Sequence, residues 1–192
     1  MDFSQDLKNY FDKMKTVIDS IDSEQVQSAM DAIMDAYRRN STVFIFGNGG
    51  SASTASHIVC DFNKGISMGL DDKFNFVCLN DNIATMMAIS NDISYDKVFS
   101  IQLEGRLKKG DLVFGISGSG NSKNVINAVE YAKSRGNEAV SLTGYDGGKL
   151  NELSDYPIHV PVNDMQKAED SHMMILHAMA QVIAKNLGNP MC

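Results

Sequence analysis

Two stretches of this chain place glycines and hydroxyl side chains where an anion can be held. Gly47-Asn48-Gly49-Gly50-Ser51-Ala52-Ser53 follows a short apolar run and opens a stretch of helical spacing. Ser117-Gly118-Ser119-Gly120-Asn121-Ser122 repeats that design further along. Glycines let a backbone turn sharply and come close to a ligand, and the start of the following helix offers open N–H groups and a partial positive charge. Ser51, Ser53, Ser117, Ser119 and Ser122 add hydroxyls, and Asn48 and Asn121 add amides. Either loop alone is an ordinary strand-to-helix connection with an N-cap residue. Two of them at the carboxyl ends of strands of one sheet point to anion binding, above all phosphate, because ligands of open α/β sheets bind there.

Acid/base candidates follow. His57 and Asp61 are four residues apart behind the first loop, on one helical face and roughly 6 Å from each other. A surface ion pair has the same spacing; the adjacent loop favours chemistry. Glu169 and His177 lie near the end of the chain. The four residues make a two-imidazole, two-carboxylate set suited to zinc or a similar divalent ion. Eight helical residues between Glu169 and His177 span about 12 Å, too far for one straight helix to bring both easily to one ion. Either Glu169 precedes the regular helix, or the site mixes residues from two chains. His172 is spaced to pair with Glu169, and His159 reads as structural.

The elements that must position these groups alternate. Residues 3–39 read as two helices broken at Ser20–Ser23, with apolar stripes that suit either a sheet cover or another subunit. Apolar runs at Thr42–Phe46, Phe74–Leu79, Asp111–Ile116, Glu138–Leu142 and Tyr156–Val160 read as strands separated by helical segments. A last helix covers 164–187, ended by Gly188 and Pro190. This predicts an α/β three-layer sandwich with a five-stranded parallel sheet, as a single domain over 1–192 comprising a helical hairpin (1–40) and an α/β core (41–192).

Composition excludes several classes. The 192 residues are 43% hydrophobic and 21% charged, an ordinary globular balance. A net charge of −7 with no basic run argues against nucleic acid and anionic membranes. There is no signal peptide pattern and no apolar stretch of the roughly 20 residues that spans a bilayer, so a cytoplasmic location is expected. Cys60, Cys78 and Cys192, without CxxC spacing, favour a reducing compartment, and the first two read as core. No P-loop pattern is present. Gly47-x-Gly49-x-x-Ala52 fits a dinucleotide pattern loosely, but Asp81 comes too late for the ribose and the second Ser loop would have no use. No nucleotide cofactor is expected.

The stretches Gly47–His57, Gly115–Ser122 and Leu142–Leu150, with the Asn91-Asp92 pair and both terminal helical regions, resemble the sugar isomerase (SIS) domain, and within it the phosphoheptose isomerases. The resemblance implies the SIS fold, conversion of sedoheptulose 7-phosphate to a heptose 7-phosphate, a homotetramer with active sites between subunits, and a divalent metal, zinc in some members. Carried over by position, it places Asn48, Gly49, Ser51, Ser117, Ser119 and Ser122 around the sugar phosphate, Asp92 on the sugar, and His57 in the active site. Asp61 stands where a Glu base is usual, Glu169 where a Gln is usual, Gly118 where a Thr is usual, and His177 at the catalytic His.

Such an isomerase needs a base beside the carbonyl and an acid to return the proton; Asp61 and His177 are the candidates. The tetrameric habit, the helical hairpin and the Glu169–His177 gap together predict that His57 and Asp61 of one subunit meet a C-terminal-helix residue of another. Two other functions stay open: a non-catalytic sugar-phosphate sensor or partner-binding module, which would not need the acid/base set, and an isomerase or epimerase for another phosphorylated sugar.

Overall fold

A computed structural model describes residues 2–189; Met1, Pro190 and Cys192 lie outside the described residues, and with them the expectations placed on those three. The chain opens with α1 (Ser4–Asp19) and α2 (Ser23–Arg38), then runs β1 (Val43–Gly47), α3 (Gly50–Cys60), β2 (Phe76–Cys78), α4 (Ile83–Asp92), α5 (Ser100–Leu103) and β3 (Leu112–Ser117). It continues with α6 (Lys123–Ser134), β4 (Glu138–Thr143), α7 (Gly148–Leu153), β5 (Tyr156–His159) and α8 (Met165–Asn186). A π-helical turn, Asp61–Ile66, extends α3, and a 3-10 turn spans Tyr95–Lys97.

The sheet has five strands in the order β2-β1-β3-β4-β5, and every pair is parallel. The strands read as continuous apolar runs because both faces are covered. Val43, Ile45, Leu112, Phe114 and Ile116 face a core closed by α2, α3 and α8. Phe44, Phe46 and Val113 face a second core closed by helices of the other layer, including α6. The predicted second strand shortens to Phe76–Cys78, the only residues in register with β1.

The strand order reverses between β1 and β3, so the crevice above their carboxyl ends is the switch point where open α/β sheets bind ligands. Both Gly/Ser loops leave the sheet there.

The two leading helices differ. Asp22 caps α2 by accepting the Glu24 N–H at 2.8 Å, and Ala29, Ala32, Ile33 and Ala36 bury one face against the sheet. In α1 only Val17 is buried, while Phe3, Leu7 and Phe11 stay exposed. It leans on α8 through Tyr10, whose hydroxyl donates to Asp170 and whose ring lies 4.1 Å from the Lys167 ammonium. Cys78 is buried, but Cys60 is exposed, a correction to its expected core position: the inward face of this helix is taken by Ala55, Ile58 and Phe62.

Candidate active site

The loop after β1 is short. Gly49 adopts φ +55°, a backbone that favours glycine, and α3 begins at the next residue. Neither α3 nor α6 has a side-chain hydrogen bond from its N-cap residue; the N–H groups at the first two positions of each helix are left open to a ligand, while those of Ala52 and Val125 are taken by the Asn48 and Gly49 carbonyls and by Asn124 Oδ1. Ser122, at the N-cap of α6, instead pairs its hydroxyl with that of Ser117 at 3.0 Å. Ser119 Oγ accepts the Asn121 N–H at 3.2 Å.

These groups line one cavity of about 240 Å³ that joins both loops: Asn48, Gly49, Ser51, Ser117, Ser119 and Ser122, with Met165 and Glu169 closing it from α8. It is smaller than the roughly 300–1,000 Å³ of drug-sized sites and its lining carries no Lys or Arg. An anion there is met by backbone N–H groups, hydroxyls and helix N-termini. Gly118 has a local reason: a Cβ there would meet the Met165 sulfur at 2.6 Å. Asp92 is not brought to this cavity. It is exposed at the end of α4, where its carboxylate accepts from Asn91 at 2.8 Å.

Glu169 sits inside α8, so the idea that it precedes the regular helix is overturned. Its carboxylate lies over Gly50, where a Cβ would come within 2.5 Å of it. His177, two turns further along α8, meets His57 of α3 at 2.9 Å between Nε2 atoms. Glu169 beside Gly50 and His177 beside His57 mean that α3 and α8 run side by side in the same direction. Asp61 Oδ2 lies 3.5 Å from each imidazole Nε2. The π-helical turn begins at Asp61, a departure from α geometry of the kind often found at functional positions.

Of the four expected metal-ligating residues, the structure therefore groups His57, Asp61 and His177 within 4.8 Å of one another, without Glu169. The rise of α8 keeps Glu169 about 12 Å from His177 along the axis. All three grouped residues belong to one chain, so His57 and Asp61 meet a residue of their own C-terminal helix. Zinc bound at about 2.0–2.2 Å by two nitrogens and an oxygen would hold its ligand atoms roughly 3.3 Å apart, close to the separations here. The donor set fits such an ion with an open coordination position.

His172 does not pair with Glu169. It is 1% exposed, neither ring nitrogen has a hydrogen-bond partner, and burial pushes its pKa down to about 4. His159 Nε2 lies 3.0 Å from the Tyr145 carbonyl, a structural contact. Sequence reasoning passed over Asn80, which holds the Gly47 peptide from both sides: its Oδ1 accepts from Gly47 N at 3.2 Å and its Nδ2 donates to Gly47 O at 2.8 Å. Its only sequence signal is an Asn directly after the second strand run.

A model of the SIS domain matches residues 9–144. A phosphoheptose isomerase of Aliarcobacter butzleri is 35% identical over 188 residues, covering 95% of this chain and 97% of that protein. A solved phosphoheptose isomerase from Neisseria gonorrhoeae superposes with a TM-score of 0.86 at 29% identity, covering 95% of this chain and 99% of that one. Another from Francisella tularensis shares the fold, with a TM-score of 0.88 at 23% identity over 96% of this chain and 100% of that one.

Proposed function

This chain belongs to the SIS domain family, among the phosphoheptose isomerases, and we propose on that footing that it interconverts sedoheptulose 7-phosphate and D-glycero-D-manno-heptose 7-phosphate. The observation that carries the reading is the pairing of an anion cavity at one end of α3 and α8 with a His/Asp/His cluster at the other. A sensor would need the cavity without the cluster.

The phosphate is held by the open N–H groups of α3 and α6 and by Asn48, Ser51, Ser117, Ser119 and Ser122. Glu169, on the cavity wall, accepts hydrogen bonds from sugar hydroxyls. Asp61 takes a proton from C1 of the ketose. The electrons form the C1–C2 double bond, and the carbonyl pair moves onto the C2 oxygen, which His177 protonates. His177 then takes the O1 proton and Asp61 returns its proton to C2, which completes the aldose and restores both groups. His57, Asp61 and His177 would hold a divalent ion, zinc by their chemistry; an imidazole bound through Nε2 has no proton there to give, so with the ion in place its charge would take over from the His177 proton, and the free oxygen of Asp61 would remain the base. Such an ion would supply positive charge that stabilises the enediolate.

We place the protein in the cytoplasm as a homotetramer. No helix among the described residues is long and apolar enough to cross a membrane. The exposed apolar residues of α1 suit burial against another copy. We assign Asp92, exposed and outside its own chain's cavity, to the sugar in a neighbour's site. The test is incubation with a panel of C5–C7 ketose phosphates. Conversion of the C7 compound to an aldose supports the reading; selective conversion of a C5 or C6 compound would replace the substrate, and no conversion of any would return the chain to the sensor class.

A further inference from the structure

Asn48 lines the anion cavity, yet most of its hydrogen-bonding capacity is already used. Its Nδ2 donates to Asn124 Oδ1 at 2.8 Å, and its Oδ1 accepts from Asn124 Nδ2 at 2.9 Å and from the Tyr95 hydroxyl at 2.8 Å. The orientation of this amide pair follows from one strict donor. The Val125 backbone N–H lies 3.0 Å from Asn124 Oδ1, and a backbone N–H can only donate. The Asn124 atom facing it is therefore the oxygen, its NH2 faces Asn48, and the Asn48 atom receiving that NH2 is an oxygen. The Tyr95 hydroxyl must then donate. What Asn48 has left for the cavity is its second N–H. With the amide reversed, it would show an anion a carbonyl oxygen.

The surroundings make this arrangement firm. Asn124 is 2% exposed in the first turn of α6, so the pair ties the first loop to the helix behind the second. The turn that carries Tyr95 is fastened to the same helix, because Asn127 Nδ2 donates to the Asp96 carbonyl at 2.8 Å.

We propose that Asn124 and Tyr95 are positioning residues that fix the Asn48 amide so that it offers an N–H to the substrate phosphate across the β1/β3 switch point. The proposal rests on the reading of the two loops as the phosphate site. Neither residue touches the phosphate; both act through Asn48.

The experiment titrates inorganic phosphate into the native chain and into Ser119→Ala, Tyr95→Phe, Asn124→Asp, Asn48→Ala and the Asn48→Ala/Tyr95→Phe double variant. Kinetics with sedoheptulose 7-phosphate run in parallel. Tyr95→Phe keeps its half-exposed ring and loses only the donor; a rise of about threefold to tenfold in Kd is expected. Asn124→Asp keeps the acceptor for Val125 N–H but loses the NH2, and a rise of at least about tenfold is expected. Both should raise KM with kcat nearly unchanged. In the Asn48→Ala background Tyr95→Phe should add nothing, because its effect passes through that amide. A merely structural role would add the same loss in both backgrounds and would overturn the proposal. So would a normal Kd for Tyr95→Phe, a result that stays decisive if Asn124→Asp fails to fold. If Ser119→Ala weakens phosphate while Tyr95→Phe does not, the positioning role fails and the loop reading stands. If none of the variants weakens phosphate, both fail.

Discussion

At the first turn of α3, the groups that face the cavity are hydroxyls, an amide and backbone N–H groups set by short turns. Two turns further along the same helix, His57 and Asp61 meet a histidine 120 residues away, brought there only because α8 packs beside α3. The loop end is local in sequence and carries no formal cation. The histidine end is assembled from distant segments, with side chains 48%, 20% and 44% exposed for His57, Asp61 and His177. On the proposed function the two ends divide the work: the first end binds, and the second, open to solvent and rich in proton-transferring groups, reacts.

The sharpest way to break that division is to damage the reacting end alone. Asp61→Asn removes the proposed base, and a loss of about 10²–10⁴ in kcat is expected, with phosphate affinity in a titration nearly unchanged. His177→Gln should behave the same way. Chelation should abolish turnover and spare phosphate binding, and zinc add-back should restore it. If Asp61→Asn weakens phosphate as much as it slows turnover, the two ends are not separate.

Next in size is an effect from neither end. His172 sits in α8 between Glu169 and His177, but points into the core. Its pKa falls from 6.5 to about 4 because burial disfavours the charged ring. The unfolded chain therefore binds this proton more readily than the folded one between those values. Stability is fully present above about 6.5 and is lost as pH falls toward 4, by up to about 3 kcal/mol. Urea unfolding at pH 7 and pH 4 should show this loss, and His172→Leu should reduce it. An unchanged pH slope in that variant would locate the acid sensitivity elsewhere, in the paired carboxylates.

The smallest effect expected is at the loop end. Ser51→Ala or Ser119→Ala removes one hydrogen bond to a charged group, about 1.5–3 kcal/mol of phosphate binding. The melting temperature should stay nearly constant, because these hydroxyls face the cavity. Equal losses of stability and affinity would make them structural.

The same contrast explains what the amino-acid sequence makes legible. The strands appear as apolar runs because both sheet faces are buried, and the loops appear because Gly49 and the serines are local signals. Glu169 and His177 were separable by helix rise alone. What spacing could not reveal is the side-by-side packing of α3 and α8, which puts His177 on its own chain's His57 and leaves Glu169 over Gly50. Asn80, Tyr95 and Asn124 are single polar residues in turns or at element ends, with no period to mark them. The outward turn of Cys60 depends on which helical face Ile58 and Phe62 claim.

The most direct measurement is solvent exchange. Sedoheptulose 7-phosphate is incubated with the native chain and with Asp61→Asn in deuterated water, and label at the exchanging carbon is followed by NMR. Deuterium should enter with the native chain and slow by orders of magnitude with Asp61→Asn, at equal phosphate affinity. Label entering equally fast with both would contradict Asp61 as the base and, with it, the division between a binding end and a reacting end.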